Sequence, residues 1–190
     1  MNHLAHLFLS RGDPGSLIGN LAADSFKGRI GTEVQPQLAS GIRIHRLVDG
    51  FTDSHPRVSL SRRRLEPGFG HYSRIIVDVF YDHYLSRNWS EYADESLRGF
   101  SSRIYAILEA NLAMVPPLFR GPIPRMIQDD WLMRNETVEG VGRTLRFLSS
   151  RLKREFKLET ATLDLVEHDL EFQEDFRLFF PDVIEFVKTL

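Results

Sequence analysis

The chain has 190 residues, with 24 Lys+Arg against 26 Asp+Glu, seven His, no Cys and a formal net charge of −2. That length suits one domain with a sizeable core. The charge balance speaks against a generic nucleic-acid binder, and the missing cysteines exclude disulfides and thiolate metal sites.

Residues 4–9 are the only short candidate for a strand, and they fit a helix equally well. Helical periodicity then recurs between prolines and glycines. A first helix, 16–27, is stopped by Gly28, and a second, 36–54, has Pro36 at a favoured first-turn position. A short basic piece, 57–65, closes at Pro67-Gly68. A strong candidate follows at 71–88, and another, 92–115, is ended by Pro116-Pro117. Helices are expected next at 125–134, 137–153 and 163–180, with Pro181 kinking the chain or restarting a last helix at 182–190. The expected fold is all-α, a single compact domain over 1–190 with about eight helices. Stretches free of Lys, Arg, Asp and Glu run to ten residues, as in 1–10 and 110–119, against the roughly 20 of a membrane span. The apolar start has no basic n-region and is cut short by Arg11 and Asp13, so no signal peptide is read and the cytoplasm is the default expectation.

Polar residues fall where these helices should be apolar. At about 100° per residue, 71–88 aligns Ile75, Asp78, Val79, Asp82 and Leu85 along one side, with Ile76, Val77, Phe80 and Tyr84 over much of the other. Two carboxylates four residues apart in a largely buried helix need protons, a cation or arginines, and Arg43, Arg46 and Arg74 are available for the last. Helix 36–54 repeats the pattern with Leu38, Ile42, His45, Asp49 and Asp53. An imidazole with two carboxylates fits a hard or borderline divalent cation such as Mn²⁺, Mg²⁺ or Fe²⁺. A surface His–Asp pair at i,i+4 is the plainer alternative. Asp24 reads as ligand or as cap, and His6 as ligand or as a satisfied core histidine. His55, before Pro56, is extended or in a turn. The sequence has no Cys nucleophile, Gly-x-Ser-x-Gly elbow, Walker loop or dinucleotide fingerprint, which leaves metal-assisted hydrolysis as the chemistry to expect.

Several segments together resemble the acyl carrier protein phosphodiesterase family. They are Met1-Asn2-His3-Leu4-Ala5-His6-Leu7, Gly19-Asn20-Leu21-Ala22-Ala23-Asp24, Gly41-Ile42-Arg43-Ile44-His45-Arg46-Leu47-Val48-Asp49, Thr52-Asp53-Ser54-His55-Pro56 and Asp78-Val79-Phe80-Tyr81-Asp82-His83-Tyr84-Leu85. The likeness is densest over 1–90 and continues through Trp131-Leu132-Met133-Arg134 to Phe179-Phe180-Pro181. The resemblance implies an enzyme that removes the 4′-phosphopantetheine arm from holo-acyl carrier protein. It also implies a helical fold distantly related to HD-type phosphohydrolases, and Mn²⁺ or Mg²⁺ as cofactor. The sequence departs from the HD pattern in having no His-Asp doublet: Ala23 precedes Asp24, and Asp82-His83 is reversed.

On that resemblance, His6, Asp24, His45, Asp49 and Asp82 are expected as metal ligands, with Asp24, His45, Asp49 and Asp78 as the catalytic groups. Asp53, His55 and His83 would orient ligands, activate water or protonate the leaving group. Arg57, Arg62, Arg63 and Arg64 would form a basic apron for an acidic carrier, with Arg151, Lys153 and Arg154 as the next basic cluster. Two other readings share parts of this pattern. One is an HD-like hydrolase of a nucleotide or other small phosphodiester. The other is a non-catalytic helical scaffold whose His and Asp residues form structural pairs.

Overall fold

The computed structural model describes residues 1–153 and 156–190, so Arg154 lies outside the described residues. Eleven α-helices and no strand occur among them. These are α1 (His3–Phe8), α2 (Pro14–Leu21), α3 (Pro36–Ser54), α4 (Pro56–Phe69), α5 (Ser73–Arg87) and α6 (Leu97–Ala110), followed by α7 (Pro117–Arg120), α8 (Pro122–Gln128), α9 (Val138–Ser149), α10 (Thr162–Glu167) and α11 (Asp169–Lys188). The all-α expectation holds, and 36–54 is a helix over its whole expected length. No helix among the described residues is long and apolar enough to cross a membrane.

The departures from the expected boundaries have local causes. Residues 4–8 fall in a helix, α1, and Leu9 is its C-cap. The helix expected at 16–27 starts earlier, because Asp13 accepts from Ser16 N at 2.8 Å and Pro14 occupies the first turn. It stops at Leu21 and gives way to a 3₁₀ turn, Ala23–Ser25. The helix expected from residue 92 starts at Leu97, where the Ser96 hydroxyl accepts from Gly99 N at 3.1 Å. Pro67 and Pro181 both lie inside helices instead of ending them. In α11 the residues around Pro181 bury Phe176, Phe179, Phe180 and Val183, and that packing outweighs the lost backbone hydrogen bond.

Helix α5 runs through the core, with Ile76, Val77, Phe80, Tyr81, Tyr84 and Leu85 fully buried. Ile75, expected on a buried side, is exposed. Helix α11 packs its aromatic face against α5. Phe80 meets Phe172 edge-on at 5.2 Å between centroids, and Tyr81 meets Phe176 at 5.5 Å.

What positions the candidate site is the crossing of α2 and α3. A Cβ on Gly19 would fall 2.1 Å from the Leu38 carbonyl oxygen, and one on Gly41 would fall 2.0 Å from that of Ser16. The two glycines therefore let the helices touch backbone to backbone. This close approach sets Asn20 and the turn carrying Asp24 against His45 of α3.

Candidate metal centre

Helix α1 has only six residues and needs tertiary support to persist. Helix α5 supplies it. The Asp82 carboxylate accepts from Leu4 N at 2.9 Å and from Ala5 N at 3.1 Å, two of the donors that a helix start leaves unpaired. Burial pushes Asp82 up to about 7, against the opposing pull of those two N–H groups. One turn earlier, Asp78 lies 3.2 Å from the Met1 amino nitrogen, which is also 3.5 Å from Asp49. Asp82, expected as a ligand, has both its oxygens on the backbone of α1 and lies outside the His6–His45–Asp49 group. Asp78 likewise holds the start of the chain. Nor do arginines neutralise this pair. Arg46 donates to the carbonyls of Phe26 and Gly28, and Arg74 pairs with Asp53.

So anchored, α1 lays His6 on α3. The His6 and His45 rings stack at 3.8 Å with an interplanar angle of 13°. His6, His45 and Asp49 each place a ligand atom within 4.8 Å of the others. Asp49 bridges the imidazoles, with Oδ1 3.1 Å from His6 Nε2 and Oδ2 3.1 Å from His45 Nε2. Asp24, exposed on its turn, comes to 3.4 Å from the same His45 nitrogen. Of the five expected ligands, the structure gathers three, His6, His45 and Asp49, into one group and brings a fourth, Asp24, to its edge at His45.

Asn20 fixes which His45 nitrogen is free. Its Nδ2 donates to the His6 carbonyl at 3.0 Å, and a backbone carbonyl can only accept. Its Oδ1 must then face His45 Nδ1, at 3.1 Å, so Nδ1 carries the proton. In neutral His45 the Nε2 lone pair therefore points at two carboxylates, and this arrangement needs a proton or a cation between them. Without a cation it takes the proton: burial pulls His45 down, but Asp24 and Asp49 raise it to about 9. Burial alone would raise Asp49, yet contact with His45, His6 and the Met1 amino group holds it far below the usual carboxylate range. His6, stacked on His45, is driven down by burial to about 3 and stays neutral. Neither of its ring nitrogens has an aligned hydrogen-bond partner, since the 3.1 Å approach to Asp49 is out of line. A buried, neutral, unpartnered imidazole beside an ionised carboxylate matches what a metal ligand looks like before loading. Two imidazoles with carboxylates suit Mn²⁺ or Fe²⁺ better than Mg²⁺, which prefers oxygen donors.

The other expected residues lie elsewhere. Asp53 pairs with Arg62 at 2.6 Å and with Arg74 at 3.3 Å. His55 caps α4, its Nδ1 accepting from Arg57 N at 3.3 Å while Nε2 meets Asp182 at 3.2 Å. His83 donates from Nδ1 to the Asn135 carbonyl at 2.7 Å. The four arginines do not form a free apron. Arg57 and Arg64 both reach buried Asp175, and Arg62 is itself buried on Asp53. Arg63 alone of the four is exposed with no ion pair among the described residues. Sequence reasoning missed Asn20. The signal was present, because Asn20 lies four residues before Asp24, next to a helical glycine and in a buried run.

A family model described as acyl carrier protein phosphodiesterase matches residues 1–183. Curated proteins carrying that name are similar over nearly their whole length. One from Pectobacterium atrosepticum is 33% identical over 190 residues, covering 100% of this chain and 98% of its own. One from Serratia proteamaculans is 31% identical over 189 residues, covering 99% and 98%. A third, from Salmonella agona, is 32% identical over 182 residues, covering 95% and 94%. No solved structure matches the chain.

Proposed function

The chain belongs to the acyl carrier protein phosphodiesterase family, and from that premise we propose that it hydrolyses the phosphodiester linking the 4′-phosphopantetheine arm to holo-acyl carrier protein, with a divalent cation held by His6, His45, Asp49 and Asp24. One observation carries the metal reading. The Asn20-locked tautomer of His45 directs a lone pair into a space walled by two carboxylates and a second, unpartnered imidazole. Mn²⁺ is the first choice, with Fe²⁺ and Mg²⁺ behind it.

A bound cation of this kind polarises phosphoryl oxygens and makes hydroxide available from coordinated water near neutral pH. In the hydrolysis the oxygen of a water bonds to phosphorus while the bond to the carrier's serine oxygen breaks, and that oxygen leaves with a proton from the water; a cation held by His6, His45 and Asp49 would supply the Lewis acidity. The chain's own contribution is geometry. Asp49, held ionised, spans both imidazoles, and Asn20 keeps the His45 ring from turning. Asp24 stands exposed at the edge of the group, where a macromolecular substrate can approach. On this reading residues 1–190 act as one catalytic domain, a distant helical relative of HD-type hydrolases.

An acidic carrier would meet Arg63 and Arg74 at a hollow one turn of α3 beyond Asp49, which Asp53, Arg62 and His71 also line. Such rim charges act mainly through encounter rate. The test is incubation of the protein and Mn²⁺ with holo-carrier, followed by mass measurement. The carrier is expected to lose the mass of its arm, and the Asp49→Ala variant is expected to leave it intact. A carrier of unchanged mass with the Mn²⁺-loaded wild type would overturn the reading.

A further inference from the structure

A cavity of about 560 Å³ opens beside Asp24, between the turn after α2 and the α8–α9 region. Its size lies within the ~300–1,000 Å³ of sites that enclose small organic groups. Its walls are largely apolar, with Phe119, Pro122 and Leu148 among the lining residues. Two of the lining residues carry a donor that the fold does not use. Trp131 Nε1 is buried with no hydrogen-bond partner. Asn135, 3% exposed, accepts from Thr144 through Oδ1 at 2.7 Å, while its Nδ2 makes no hydrogen bond among the described residues. At the rim, Lys27 and Arg151 are exposed cations. The cavity therefore has a cationic mouth next to Asp24 and a largely apolar interior to which Asn135 adds a spare N–H donor, while Trp131 offers its ring and keeps Nε1 sealed behind it.

We propose that this cavity seats the phosphopantetheine arm itself, its phosphate end at Asp24, Lys27 and Arg151 and its amide-linked chain laid against Trp131, Asn135 and Leu148. The proposal rests on the functional reading above and adds to it where the leaving portion of the substrate lies. The arm is uncharged beyond its phosphate, flexible, and rich in amide carbonyls that need donors when they leave water. The unpaired Asn135 Nδ2 in a low-dielectric wall meets that need, and such a donor is costly to leave without a partner. A nucleotide fits the same cavity less well. The Trp131 ring already carries His3, stacked at 6.0 Å, and the Arg134 guanidinium at 5.3 Å. Phe147 carries Arg151 at 5.8 Å. The Trp131 and Phe147 rings are thus taken up by the chain's own side chains, which leaves Phe119 as the one lining ring without such a partner among the described residues.

The experiment uses the full chain, pantetheine as binding probe and holo-carrier as substrate. Two variants are compared with wild type. Asn135→Asp removes the Nδ2 donor and keeps the acceptor for Thr144, and Leu148→Trp fills the cavity. Circular dichroism and Mn²⁺ affinity establish that each variant is folded. Wild type is expected to bind pantetheine saturably and more tightly than adenosine monophosphate. Both variants should weaken pantetheine binding and raise KM for holo-carrier by about tenfold, the size of one good hydrogen bond. Preferential binding of adenosine monophosphate overturns the assignment, as does wild-type turnover of holo-carrier that both variants match in KM. If instead wild type with Mn²⁺ releases no arm from holo-carrier while pantetheine still binds, the functional reading fails and the cavity assignment is what survives.

Discussion

Asn20→Ala separates the construction of the site from its chemistry. The Asn20 side chain makes two buried hydrogen bonds, to the His6 carbonyl and to His45 Nδ1, at 3.0 Å and 3.1 Å. The first satisfies a carbonyl near the end of α1, and the second holds the ring that presents Nε2. Losing two hydrogen bonds and leaving a buried carbonyl unpaired amounts to about 2–4 kcal/mol of stability. Freeing the outer nitrogen of a metal-ligating histidine typically weakens metal binding by about 10–100-fold. Urea unfolding of the metal-free protein reads the first quantity, and calorimetric titration with Mn²⁺ reads the second. Asn20→Asp discriminates between them. It keeps an acceptor for His45 Nδ1 but turns an oxygen toward the His6 carbonyl, so it should lose as much stability as Asn20→Ala while retaining more of the Mn²⁺ affinity. If Asn20→Ala binds Mn²⁺ as tightly as wild type, the tautomer argument is wrong, whatever happens to stability.

Removing the α1 cap by Asp82→Ala should lower stability by about 1–2 kcal/mol, seen as a fall in Tm, and weaken Mn²⁺ binding indirectly because α1 carries His6. In the metal-free protein, His45 is expected to titrate near 9 by NMR, and in Asp49→Asn its midpoint should fall. The sign follows from linkage. A His raised from 6.5 to about 9 contributes stability fully below pH 6.5 and loses it as pH rises through 9, so the wild-type advantage over Asp49→Asn should shrink across that window in urea unfolding. A gap that widens there would refute the pairing. Arg64→Ala should destabilise by roughly 3 kcal/mol, because it strips a partner from buried Asp175. Arg63→Glu should leave stability within about 0.5 kcal/mol and raise KM for holo-carrier in a salt-sensitive way. If Arg64→Ala proves neutral for stability and harmful only to carrier binding, the apron read from the sequence was right after all.

Helix content was legible because periodicity is a property of the chain, and α3 was read over its whole length for that reason. Ends were harder, since they depend on single hydrogen bonds such as Ser96 to Gly99 N and on burial that carries α11 through Pro181. The His45–Asp49 face was equally legible, because both residues lie on one helix and a fixed turn relates them. What could not be read was which residues from other helices would join them. That depends on the approach of α2 to α3 through Gly19 and Gly41, a contact with no periodic signature. The arginines of α4 illustrate the same limit. Their number was visible, but Asp175 lies more than 100 residues away from Arg64 in the chain and had to be brought up by folding.

Asp82 and Asp49 show why a helical face alone cannot name a ligand. Both are carboxylates on an inward side, each with a second carboxylate one turn away, and spacing treats them alike. What differs is what reaches them. Asp82 meets two backbone N–H groups that have no other partner, so its charge is consumed in holding α1. Asp49 meets two imidazoles, one of them buried without an aligned partner and the other locked into the tautomer that offers a lone pair. A backbone donor cannot be exchanged for a cation without unmaking the helix start, whereas a proton on His45 can. The site therefore divides between two helices. The carboxylates of α5 build the platform, and those near His45 face the exchangeable position. This division predicts opposite outcomes for the two residues: Asp82→Ala should cost stability with or without metal, and Asp49→Ala should abolish Mn²⁺ binding while the helical signal survives.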